Sequence, residues 1–276
     1  MSNNTNNSGN SVLKAYFAGA AILVALLTGV LIYTFIMGDA ANFEGAGLKT
    51  EEIVEKGHPK NLLGIIHKGG FIVPILIAVN IIVILVSIER FITLAAASGK
   101  GNAEQFVRNM QVTMSKGDID GAISSCDVQK GSLANVVKSG LLRYQMVVKN
   151  DQLSRDEKKS AIEKELEEAT GLELPMMSKN LVIVSTMVSI GTLVGLIGTV
   201  LGMIKAFAAL ANAGAPDTAA LATGISEALV NTAFGIIGST LAIISYNYFS
   251  NRIDTMTHSM DEASYSIISN FQSNHA

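Results

Sequence analysis

Four long apolar runs constrain this chain more than any other feature. They cover residues 12–37, 70–97, 181–211 and 219–250, and each is long enough to cross a hydrocarbon layer of about 30 Å as a helix. Inside such a layer every backbone N–H and C=O must find its partner within the segment, so the runs read as transmembrane helices. Composition agrees: 49% of the 276 residues are hydrophobic and 16% are charged, against about 25% charged in an ordinary soluble domain. The expected fold class is therefore all-α, a polytopic membrane protein with four transmembrane helices and long helices extending into the cytoplasm.

The stretches between the runs complete the plan. Residues 1–11, MSNNTNNSGNS, are Asn- and Ser-rich without periodicity and read as a disordered tail. The run 12–37 exceeds the apolar region of a signal peptide and lacks a small-x-small cleavage site, which favours a retained helix, a cleaved signal being the alternative. Residues 38–69 carry charges of both signs, glycines and His58-Pro59, as an aqueous connection with one short amphipathic turn would. In the second run Pro74 lies near the start, where a missing N–H costs least, and Glu89-Arg90 lies near the end, where Arg90 is expected to snorkel to headgroups.

Residues 98–180 change character completely. The stretch DEKKSAIEKELEEATGLEL sets Glu and Lys four apart for a solvated helix, and Leu133, Val136, Val137, Leu141 and Leu142 recur at helical spacing. A soluble helical region follows from this. The residues NAGAPDT, 212–218, make a tight turn between the last two runs, and residues 251–276 read as a tail in water. Basic residues such as Lys100, Arg108 and Lys116 place region 98–180 in the cytoplasm. Both termini then lie inside, with the 38–69 connection and the 212–218 turn in the periplasm.

Several function classes find no support in the residues. Net charge is −3 and no basic block exists, so nucleic acid is not an expected partner. Cys126 is the single cysteine, and His58, His67, His258 and His275 lack metal-ligand spacing, so neither an internal disulfide nor a metal site is expected. No nucleophile-base set or phosphate loop points to an enzyme.

The third and fourth runs hold the distinctive pattern. Gly191, Gly195, Gly198 and Gly202 share one helix face, suited to close approach by another helix. Ser185, Thr192 and Thr199 recur every seven residues with Ser189 beside them, forming a hydroxyl stripe. In the fourth run Thr232 and Ser239 share a face with Gly235, and Glu227 precedes Asn231 by one turn. Glycines alone suit simple helix packing, and a single hydroxyl often bonds back to its own helix. A stripe beside a seam fits a helix serving a neighbour on one face and water or a polar partner on another. Glu227 is the one carboxylate in these two runs, and a buried carboxylate faces a cavity, is protonated or finds a cation. Lys205, near the outer end of the third run, is the available cation, so a structural ion pair, a role in ion movement and a role in conformational coupling all stay open.

Those residues carry a resemblance. GLIGTVLGMIKAF (195–207) followed by GISEALVNTAFGIIGSTLAI (224–243) resembles the paired signature of the ExbB/TolQ/MotA group of proton-channel proteins, and SIERFITL (87–94) resembles the end of their first helix. The match covers roughly residues 70–250. It implies a cell inner membrane motor subunit, most like ExbB, in a homopentamer whose pore encloses an ExbD-like single-span partner. Protons would be the coupling ion, with no cofactor. By motif position Thr199 and Thr232 would face the partner's proton-carrying aspartate, and Glu227 would be the intramembrane glutamate of the group. Output would pass to a TonB-like protein that energises nutrient import; a TolQ-type role with TolR and TolA partners, or an ion-passive membrane scaffold, are the alternatives. The chain departs from the pattern in its additional N-terminal helix, in its 251–276 tail, and in the charge at Lys205.

Overall fold

The structure is a computed structural model that describes residues 22–45, 52–54, 57–211 and 218–274. The expected tail 1–11, the first part of the run 12–37 and nearly all of the 212–218 turn lie outside the described residues. In chain order the elements are α1 (Ile22–Met37), β1 (Phe43–Glu44), β2 (His58–Pro59), α2 (Leu62–His67), α3 (Val73–Ala97), α4 (Ala103–Ser115), α5 (Ile119–Gln129), α6 (Gly131–Val148), α7 (Arg155–Ser178), α8 (Leu181–Ala211) and α9 (Thr218–Asn274). The protein is thus an all-α polytopic membrane protein. Among the described residues three helical stretches are long and apolar enough to cross a membrane, Gly70–Ala97, Arg155–Ala211 and Thr218–Asn274, and the described part of the first run is shorter.

The chain divides into two compact units, one drawn from Met1–Ser87 and Ile183–Ser245, the other from Ile88–Val182 and Tyr246–Ala276. In the first, α1 packs on α3 through Ala25, Ala78 and Ile82, and Met37 of α1, Ile66 of α2 and Val73 and Ile77 of α3 form a second cluster. Gly29 allows this approach, since a Cβ there would stand 2.5 Å from the Pro74 carbonyl oxygen. The connection expected between the first two runs contains a short antiparallel ladder pairing Phe43 with Pro59 and Glu44 with His58. It also contains α2, capped by the Asn61 side chain accepting from the Gly64 N–H. Asn42 ties the ladder to α1 by donating to the Ile36 and Met37 carbonyls at 2.7 and 3.1 Å. His67 stacks on Tyr33 with ring centroids 4.4 Å apart and meets the Phe43 ring edge-on.

The second unit has its own core. Met110, Met114, Leu141, Ile162, Met260, Ile267 and Phe271 are fully buried in it. Leu133, Val136, Val137 and Leu141 of α6 face this core as their spacing predicts, whereas Leu142 is exposed. The α7 helix begins with a reciprocal cap in which Ser154 and Glu157 satisfy each other's backbone. Two expectations change here. The fourth apolar run does not end its helix at Ser250, because Ile253, Met256, Met260, Ala263, Ile267 and Phe271 continue at three- and four-residue steps and bury into the core. Arg90 does not snorkel to headgroups but is 2% exposed. Its guanidinium holds Glu89 with two bonds of 2.5 and 2.6 Å and donates to the Met177 carbonyl at 3.1 Å. The reason is the break between α7 and α8 at Lys179 and the left-handed Asn180 (φ 62°), which leaves the last carbonyls of α7, that of Met177 among them, to be satisfied from outside the helix.

Candidate channel face

The seam between α8 and α9 is glycine meeting backbone. A Cβ on Gly191 would lie 2.7 Å from Ser239 Oγ, one on Gly198 2.4 Å from Asn231 Cβ, and one on Gly202 2.8 Å from the Gly224 carbonyl oxygen. Gly195 faces the Asn231 carbonyl and the Gly235 Cα in the same way. From the other side, a Cβ on Gly235 would stand 2.5 Å from the Gly191 carbonyl oxygen. Close approach brings side-chain hydroxyls on the two helices within bonding reach, which ridge-and-groove packing of larger residues would prevent.

Two hydroxyl rungs cross this seam. Thr192 donates to Ser239 Oγ at 2.9 Å, and Ser239 donates to the Val188 carbonyl at 2.7 Å. One heptad along, Thr199 and Thr232 are in direct hydroxyl contact, and Thr199 also reaches the Gly195 and Ala228 carbonyls at 3.2 and 3.4 Å. At helical rise the rungs stand roughly 10 Å apart along the pair. Thr199 and Thr232 are half-buried, Thr192 and Ser189 exposed, Ser185 half-buried and Ser239 buried. A hydroxyl both donates and accepts, so each rung can hydrogen-bond a carboxyl group in either protonation state without bringing a fixed charge of its own.

Towards the ends of α8 and α9 that face the 212–218 turn, the arrangement is ionic. Lys205 Nζ stands 2.6 Å from Glu227 Oε1, with the Lys205 side chain 52% exposed and that of Glu227 8%. One turn along, the fully buried Asn231 donates from Nδ2 to the Gly69 carbonyl at 2.8 Å, while its Oδ1 has no partner among the described residues. The structure therefore brings Thr192 to Ser239, Thr199 to Thr232 and Lys205 to Glu227. Sequence reasoning missed the Gly69-Gly70 turn, which meets both Asn231 and Glu227. A Gly-Gly pair directly before a Pro-initiated apolar helix was the signal available for it.

Fold and site together define a polytopic all-α membrane protein whose paired helices carry a polar ladder through an apolar segment. A family model described as the MotA/TolQ/ExbB proton channel family matches residues 129–262, the stretch holding α6 to α8 and most of α9. The biopolymer transport protein ExbB of Aquifex aeolicus is 30% identical over 114 residues, 41% of this chain and 69% of that protein. ExbB of Pseudomonas putida is 26% identical over 196 residues, covering 70% of this chain and 59% of its own length. The Tol-Pal system protein TolQ of Haemophilus influenzae is 33% identical over 88 residues, 32% of this chain and 39% of TolQ. The chain spans less than two thirds of the length of several curated relatives, 41% to 64% among three of them. This chain belongs to the MotA/TolQ/ExbB proton channel family.

Proposed function

We propose that this chain is the channel subunit of a proton-driven motor in the bacterial inner membrane and does not itself act as an enzyme. Five copies enclose an ExbD-like single-span partner, and the motor works on a TonB-like protein that energises outer-membrane nutrient import. Both termini face the cytoplasm, where the basic residues of 98–180 are retained. The observation that carries this reading is the double rung of Thr192–Ser239 and Thr199–Thr232 on two helices of a proton-channel family.

The proposed mechanism follows from what a hydroxyl pair does to a passing carboxyl group. A partner carboxylate beside Thr199 and Thr232 accepts their hydrogen bonds; once protonated it donates to them instead, and the preference for one subunit weakens. Each proton descending 100 mV releases about 2.3 kcal/mol, so a few protons per step suffice for useful work. No cofactor takes part.

The test is co-purification of the chain with its single-span partner and mass determination of the intact complex. Five copies around a partner support the proposal, and a monomer or a ring that never retains a partner contradicts it. Similarity to TolQ of H. influenzae and Pseudomonas aeruginosa supports a second reading, a motor acting with TolR- and TolA-like partners on envelope integrity. Loss of the chain would then produce division and leakage defects rather than failure of nutrient uptake.

A further inference from the structure

The Lys205–Glu227 pair does more than neutralise a buried charge. Glu227 Oε1 lies so close to the Gly70 backbone that a Cβ on Gly70 would stand 2.3 Å from it, and Gly70 has φ +77°, a left-handed conformation that side chains disfavour. Lys205 Nζ, bonded to the same oxygen, lies 5.8 Å from the centroid of the Phe71 ring. The neighbouring peptide is held as well, since Asn231 Nδ2 donates to the Gly69 carbonyl, and a Cβ on Gly69 would meet the Val230 side chain at 2.9 Å. Three consecutive residues, Gly69, Gly70 and Phe71, are thus seated on one face of α8 and α9. The seat consists of Lys205, Glu227, Asn231 and Val230.

We infer that Glu227 is a positioning residue in this chain, a fixed anion that Lys205 keeps paired so that the Gly69–Phe71 turn, and with it the start of α3, stays latched to the α8–α9 pair. The carboxylate is occupied by a tethered ammonium, with Lys205 Nζ 2.6 Å from Oε1. The partner's carboxyl group then carries the proton past the hydroxyl rungs without passing it through Glu227. A protonated Glu227 would lose the ionic half of the latch, whereas a neutral amide pair in place of both charged groups would keep a hydrogen bond between 205 and 227. This distinguishes a latch from a carrier, because an amide can hold a turn but cannot bind and release a proton. The inference rests on the proposed channel function only for its flux readout.

The experiment is a double-mutant cycle of Lys205→Gln, Glu227→Gln and both together, in the full chain with its partner. Two quantities are read: proton uptake by proteoliposomes and hydrogen-exchange protection at Ile66–Phe71. Each single variant should lower protection and slow uptake about tenfold, and the double variant should restore both to within about twofold. Gly70→Ala, which changes no charge, should lower protection as the single variants do. A double variant as slow as Glu227→Gln alone would overturn the inference and make Glu227 a carrier. Protection indifferent to Lys205→Gln would overturn it too, because the pair would not be the seat. If the unaltered complex moves no protons, the channel reading itself fails, and the protection cycle alone decides whether the latch exists.

Discussion

Lys205 and Glu227 form a 2.6 Å ion pair between two adjacent helices, one partner half in the open and the other almost fully buried. Removing the lysine strands a desolvated carboxylate, whereas removing both charges leaves nothing stranded, so the two partners are energetically coupled. The same asymmetry recurs at the far end of α3, where the buried Arg90 guanidinium grips a half-exposed Glu89.

Arg90→Met should destabilise the second unit by about 1–3 kcal/mol, because it leaves the Met177 carbonyl without its donor beside the α7–α8 break. Arg90→Lys should recover only part of this, since an ammonium cannot reproduce the two-point grip on Glu89. Thermal unfolding of the detergent-solubilised protein measures the size, and hydrogen exchange at 177–181 shows whether the loss is centred on the break.

Gly198→Val should cost about 1–3 kcal/mol or more by forcing a side chain to within 2.4 Å of Asn231 Cβ. Gly171→Ala, where an added Cβ meets nothing within 4 Å, should leave stability unchanged or slightly raised. Parallel melting curves of the two variants check the contrast.

His67 gives a pH dependence with a definite sign. Burial, and then the neighbouring Lys68 charge, lower its pKa below the ordinary 6.5. The unfolded segment therefore takes up the proton first, and the stability contributed by neutral His67 is present above pH 6.5 and lost as pH falls through the lower folded value. Exchange protection around Tyr33, Phe43 and His67 should decline on acidification below that point, and His67→Phe should flatten the profile.

Cys126 should be inert. Burial pushes its thiol up to about 11, so little thiolate exists at neutral pH. Maleimide labelling at pH 7 should be negligible for the folded protein and complete after denaturation, which makes the unaltered chain a clean background for cysteines introduced at 199 or 232.

The glycine seam and its hydroxyls are legible in the residues alone. Gly191, Gly195, Gly198 and Gly202 declare a close-packed seam because glycine at that spacing has few other uses in an apolar helix. Thr199 and Thr232 lie on separate apolar runs, and their contact follows once a short turn makes those helices antiparallel neighbours. What escaped was set by tertiary context. The helix past Ser250 looked polar on average, and its apolar positions from Ile253 to Phe271 acquire meaning only against the core they enter. Arg90 at a helix end reads as an interfacial residue until the broken α7–α8 junction supplies a carbonyl for it. Gly70 reads as the edge of an apolar run, and its positive φ and contact with Glu227 appear only in three dimensions.

Proton uptake by proteoliposomes holding the chain and the proposed single-span partner tests most directly whether a proton-carrying carboxyl group passes the Thr199–Thr232 rung. With a potential of about 100 mV imposed, the Thr199→Ala/Thr232→Ala double variant should take up protons at least about tenfold more slowly than the unaltered complex, a hydrogen bond's worth of barrier. Replacing both threonines by serine, which keeps the hydroxyls, should preserve most of the rate. Uptake by the alanine variant at the unaltered rate would contradict the account.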